Sequence, residues 1–293
     1  MDIDGIRAAL RDVGLERVAD EVERLTLPAI FIRPVAVEEN APSIGASKFG
    51  GIPDLPRDFE WPTWHGRALT FLAQFDLAEV AVHDVEHMLP SSGVLYVFYD
   101  FAEEPWGLEP TDRGGWRVAY WDGDKKLLAP IPYSPDVYQP ALMPSRQLVF
   151  SQGLTLGDEV DIVHQYSLDE DEWELFVSIC ESTHPVQHQM IGNPLVIHYS
   201  GMPLMCESMT SGRGFDAFLD LTREPYEEWS ESDKTLNKQA SDTWRLLFQL
   251  GEIQHTPQCR IWADAGLMYF WIEKDRLAKR DFSNVWCLAA TEF

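Results

Sequence analysis

The side chains of this sequence best suited to bind a transition metal crowd into one stretch: Cys180, His184, His188 and His198, with His164 upstream and Cys206 downstream. On an uninterrupted helix Cys180, His184 and His188 would share a face at i, i+4 and i+8, and zinc accepts both sulfur and nitrogen. Pro185 spoils that ladder, because its ring lacks an N–H and clashes with the preceding turn, so the helix ends or kinks after Cys180. The expectation is no metal and no cofactor, with packed or hydrogen-bonded histidines and a buried thiol. Nucleophilic catalysis finds no GxSxG elbow, and phosphate binding finds no GxxxxGK[ST] loop. Ser211-Gly212-Arg213-Gly214 is a short glycine turn whose arginine could touch an anion. Asp264, Asp275 and Asp281 read as turn or cap residues.

Two glutamines and one lysine carry more information. Gln74 and Gln249 sit inside apolar runs, Phe71-Leu72-Ala73-Gln74-Phe75 and Leu247-Phe248-Gln249-Leu250, where a buried amide is costly unless paired. Each could pair with neighbouring backbone or face a ligand. Lys48 is a rare cation in an acidic chain and stands beside Gly50 and Gly51, which permit close backbone approach. That loop could be a tight structural turn or, with the glutamines, a ligand-binding element. Lys48, Gly50, Gly51, Gln74 and Gln249 are thus the candidate ligand-binding residues; no catalytic residue is indicated.

The surrounding elements occur twice in the same order. Gly51-Ile52-Pro53, the Gln74 run and the strand from Gly93 through Phe98 are followed by Gly192-Asn193-Pro194, the Gln249 run and Gly266 through Trp271. From glutamine to strand glycine the gap is 19 residues in the first copy and 17 in the second, whereas the turn-to-glutamine gap lengthens from 23 to 57, an insertion. The pattern predicts a single α+β domain over residues 1–293, with largely antiparallel sheets built from two repeat-related halves. Amphipathic helices occupy residues 1–27, one half spans 28–150, and the other, with the insertion, spans 151–293. Periodicity further predicts strands over 29–37, 69–77, 93–100, 116–122, 146–155, 243–250, 266–272 and 284–291. Helices are expected over 78–88, 169–181 and 273–279, and a long connection over 200–231.

The chain has 23 basic and 48 acidic residues, a formal charge of −25, with 45% hydrophobic residues and 11 Trp. Such composition suits a well-packed core and argues against disorder. The acidic field repels nucleic acid and anionic membranes, whose affinity rests on Lys and Arg, and it attracts basic protein partners. The plainer reading is that the charge serves solubility alone. The acidic start lacks the pattern of a secretory signal, no apolar run approaches the ~20 residues of a membrane span, and the four cysteines contain no CxxC. A cytoplasmic protein is expected.

Ser47-Lys48-Phe49-Gly50-Gly51-x-Pro53-x-Leu55-Pro56, Leu69 through Gln74, Leu247 through Leu250, Asp264 through Ile272 and Arg280 through Trp286 together resemble the YwqG-like family of bacterial proteins. The resemblance covers roughly residues 29–290. It implies an intracellular α+β protein without an established activity, and the family's occurrence near polymorphic-toxin loci implies an immunity or interaction role. The chain departs from the family pattern at Gly192-Asn193-Pro194-Leu195, where relatives more often carry glycine, an aromatic residue and proline-aspartate. The leading expectation is a non-enzymatic cytosolic binding protein with a protein partner, basic ones being favoured. The alternative is an enzyme or small-ligand binder with its site between the repeats. A deep pocket at Lys48 and the glutamines would favour the alternative, and a broad acidic or aromatic patch the leading one.

Overall fold

Asp2 opens the first helix, its carboxylate accepting from the Gly5 N–H at 2.9 Å, and Ile6 and Leu10 recur on the buried face of Ile3–Asp12. A second helix, Ala19–Leu25, buries Val22. Both pack with helix Glu170–Thr183, which contributes Phe176 and Ile179, into a small apolar cluster of their own. The computed structural model describes residues 2–36, 43–157, 166, 168–183, 187–197, 200–223, 226–251, 253–256, 259–261 and 266–291.

Sixteen strands follow in chain order among the described residues. The first eight are β1 (Leu27–Ala36), β2 (Lys48–Phe49), β3 (Asp54–Pro56), β4 (Thr63–Trp64), β5 (Arg67–Ala68), β6 (Thr70–Asp76), β7 (Val94–Tyr99) and β8 (Trp116–Trp121). The rest are β9 (Leu128–Pro130), β10 (Arg146–Thr155), β11 (Gln189–Met190), β12 (Trp244–Leu250), β13 (Ile253–Thr256), β14 (Cys259–Ile261), β15 (Leu267–Glu273) and β16 (Trp286–Ala290). Ten of them form one antiparallel sheet in the order β16-β15-β12-β11-β1-β10-β2-β6-β7-β8. Its centre is the ten-pair ladder of β1 on β10, from Leu27 opposite Thr155 to Ala36 opposite Arg146.

The sheet curls until its ends nearly meet, giving a nearly closed, barrel-like α+β fold. Trp116 and Trp286, from the two end strands, lie edge to face at 5.0 Å, and the Trp116 indole N–H donates to the Val285 carbonyl at 2.8 Å. Curling explains why the strands read as unbroken apolar runs. On β7, Leu95, Val97 and Tyr99 enter the main core, while the alternate residues Val94, Tyr96 and Phe98 enter a second cluster with Leu55, Leu69 and Phe71.

Two expectations need correction. The helix read over 78–88 stops early, as Leu77–Ala81, because the Asp84 carboxylate takes the Leu89 N–H at 2.7 Å and offers the backbone a non-helical partner. The connection read over 200–231 is largely helical, with Met202–Thr210 and Gly214–Thr222 flanking the Ser211-Gly212-Arg213-Gly214 turn, and a third helix at Glu231–Thr243. Leu204, Met205, Cys206 and Met209 bury the first of these in the core.

Candidate functional site

Gln74 lies fully buried on β6, opposite Lys48 of β2, and its amide is saturated by the turn that passes over it. The Gln74 Oε1 accepts from the Asp54 N–H at 2.9 Å, and Nε2 donates to the Ala46 carbonyl at 2.8 Å and to Asp54 Oδ2 at 2.9 Å. The same Oδ2 accepts from Lys48 Nζ at 2.8 Å and from the Gly45 N–H at 3.0 Å. Lys48 and Asp54 are both buried, so this is an ion pair removed from solvent. The Tyr96 hydroxyl donates to the Asp54 carbonyl at 2.7 Å, and burial followed by the Asp54 charge pushes its pKa up, which keeps it a donor. Gly50 and Gly51 turn the chain with φ of +57° and +66°, and a Cβ on either would meet Met143 Cβ or Ser145 Cβ at 2.7 Å.

Gln249 on β12 makes closely matching bonds. Its Oε1 accepts from the Leu195 N–H at 2.8 Å, its Nε2 donates to the Gln187 carbonyl at 2.9 Å, and the Tyr269 hydroxyl donates to the Leu195 carbonyl at 2.7 Å. Gly50 N–H donates to Leu72 O at 2.9 Å, and Ile191 N–H to Leu247 O at 3.1 Å; both leucines stand at a ladder irregularity. Ser47 Oγ accepts from the Asp76 N–H at 2.8 Å, and His188 Nδ1 accepts from the Gly251 N–H at 3.0 Å. The two sites differ in charge. Gln189 stands where Lys48 does and donates to the Ile191 and Asn193 carbonyls, and Leu195 stands where Asp54 does.

All five sequence-predicted residues therefore fall at turns clamped onto the sheet, four around β2 and β6 and Gln249 beside β11. The polar atoms named in these clamps face other protein atoms, and a ligand reaching them would have to displace those bonds. Asp54, Tyr96, Gln189 and Tyr269 were not singled out from the sequence. The tyrosines had a signal, since each stands three residues after its strand glycine, Gly93 and Gly266.

Of the metal-ligand ladder, Cys180 is buried in the helical cluster and His188 is buried against the Phe49 ring at 5.2 Å, its pKa lowered from 6.5 to about 4 by desolvation. His164, His184, Pro185 and His198 lie outside the described residues. Among the described residues no group of three metal-binding side chains converges, and no helix is long and apolar enough to cross a membrane.

Two clefts are lined by described residues away from these turns. One, of about 520 Å³, is lined by half-buried Phe59 and Trp61 and by exposed Arg117 of β8. The other, of about 430 Å³, lies between residues 87–90 and 274–280.

A curled antiparallel sheet with paired, internally satisfied turns defines a class of fold without defining a reaction. A family model described as a domain of unknown function, DUF1963, matches residues 47–290, and the chain belongs to that family. Comparison with curated proteins finds no match.

Proposed function

We propose that this protein is a non-enzymatic cytosolic binding protein of the bacterial YwqG-like type, with an interaction or toxin-immunity role and a basic protein as its partner. The observation that carries this reading is one acidic helical face. Residues 2–25 hold seven acids against four arginines, and each arginine is already bridged to an acid of the same face: Arg7 to Asp20 and Glu23, Arg11 to Glu16, Arg17 to Glu172, and Arg24 to Glu21. Helix Glu170–Thr183 adds Glu170, Asp171 and Glu174, which form no ion pair among the described residues, and it exposes Trp173 and Leu175 beside them. An exposed aromatic residue set among unneutralised carboxylates offers a partner an apolar anchor and a charge-complementary surround.

The matching bonds of Gln74 and Gln249 support a chain built from two repeat-related halves, in which the turns fix the frame and the added helices carry recognition. The test is affinity capture from the source cells with wild-type protein and with Asp171→Lys/Glu174→Lys. A specific partner retained by wild type and lost from the charge-reversed variant supports the reading; equal recovery by both sinks it.

A further inference from the structure

Acids outnumber bases about two to one in this chain, yet the 430 Å³ cleft between residues 87–90 and 274–280 is lined by His87, Lys274 and Arg280 and by no carboxylate. Its walls come from segments far apart in the sequence, the turn before β7 and the helix Lys274–Ala278 after β15. They meet beside the seam of the curled sheet, where Phe282 packs on Tyr120 at 5.4 Å. Leu89, Pro90 and Leu277 are buried, and the three basic side chains are exposed above them.

Asp275 and Glu86, next in sequence to Lys274 and His87, are exposed and do not line the cleft, and two further carboxylates close in sequence are spent elsewhere. Glu273 accepts from Arg276 at 3.0 Å and from Asn284 at 2.7 Å, and Asp281 accepts from Arg276 at 2.6 Å and from Ser283. Lys274 and Arg280 form no ion pair among the described residues; Lys274 feels Asp242 only through space, and Arg280 lies against the Tyr120 hydroxyl, where its charge and hydrogen bond oppose the burial that raises that group's pKa. An apolar floor under exposed cations that no carboxylate bridges among the described residues is the chemistry of an amphipathic anion site, and the volume falls within the range of small-molecule pockets.

We propose that this cleft binds a small organic anion, its carboxylate or phosphate head held by Lys274 and Arg280 and its hydrocarbon body laid on Leu89, Pro90 and Leu277. The site goes beyond the acidic helical face and shares no residue with it. At the scale of the molecule the −25 field opposes an anion, but at about 0.1 M salt screening acts over roughly 10 Å, so the cations lining the cleft dominate there.

Calorimetric titration with octanoate, octyl phosphate, octanol and inorganic phosphate tests this on wild type and on Lys274→Gln/Arg280→Gln. Saturable binding of either octyl anion at about 1 mM or tighter is expected. Octanol and inorganic phosphate should bind at least tenfold more weakly, and the double variant, which alters exposed side chains and should melt with wild type, should lose at least tenfold in anion affinity. The stronger of the two anions identifies the head group. Octanol binding as tightly as the anions, inorganic phosphate binding as tightly as octyl phosphate, undiminished binding by the variant, or no saturable binding of either anion would overturn the proposal.

Discussion

Removing Asp54 strands the Lys48 ammonium in a buried site, and an uncompensated buried charge is among the costlier local defects. Asp54→Leu should destabilise the fold by about 3–5 kcal/mol in urea unfolding. Adding Lys48→Gln places the Gln189/Leu195 chemistry of the second turn on the first, and should restore about 1–3 kcal/mol of that loss. Strictly additive effects would show that the pair is not coupled. His188 supplies a pH signature from the other turn. Desolvation lowers its pKa from 6.5 to about 4, so between those values the unfolded chain holds a proton that the folded chain does not. Stability therefore rises with pH through this window and is lost as pH falls from 6.5 toward 4, by roughly 3 kcal/mol in total. His188→Asn keeps an acceptor for the Gly251 N–H and removes the titration, so its stability should fall less over that interval than the wild type's. Parallel slopes would show that His188 does not set the dependence.

The segment Pro105–Gly107 joins the two ends of the sheet. Its carbonyls accept, in turn, the Tyr99 hydroxyl at 2.8 Å, the Ala289 N–H at 2.9 Å and the Trp286 indole N–H at 2.9 Å. Gly107 has φ +75°, and a Cβ there would stand 1.7 Å from the Cys287 carbonyl oxygen. Gly107→Ala should therefore cost about 2–4 kcal/mol, whereas Gly66→Ala, with a similar φ of +79° but open space around it, should cost about 1 kcal/mol. Equal losses in thermal melts would mean that the joint is slack. This joint was invisible in the sequence, because Trp106 and Ala289 are far apart in the chain and no local signal pairs them. The long apolar runs of β6, β7, β12 and β15 were legible, since burial on two faces leaves few polar positions, and so were the clamped turns with their glycines and glutamines. Two-residue strands such as β2 and β11 are too short for periodicity to show, and they determine the strand order. The helices within 200–231 were misread because Pro203, Gly212 and Gly214 look like loop punctuation, although a proline in the first turn and a glycine past the last are helix-boundary signals. At the site, Lys48 and the glutamines were legible as special, but what they hold depends on Asp54 and Leu195, whose roles appear only once the turns fold over β6 and β12.

A charge of −25 spread over 293 residues acts on encounter more than on the fold. On the proposed reading, the partner meets the exposed carboxylates of helix Glu170–Thr183, beside N-terminal helices whose arginines are already paired with acids. A field of this kind raises the association rate with a basic protein and leaves dissociation mainly to packed contacts, for which the proposed reading uses the exposed Trp173 and Leu175. The two contributions separate in kinetics. For a partner captured from the source cells, raising ionic strength from about 10 mM to 150 mM shortens the Debye length from about 30 Å to 8 Å and should slow association by tenfold or more with little change in dissociation. Asp171→Lys/Glu174→Lys should lower the association rate and flatten its salt dependence, while Trp173→Ala should speed dissociation and leave the salt slope in place. A salt-independent association rate in the wild type, or tight binding to duplex DNA under the same conditions, would show that the acidic surface serves something other than the recognition of a basic protein.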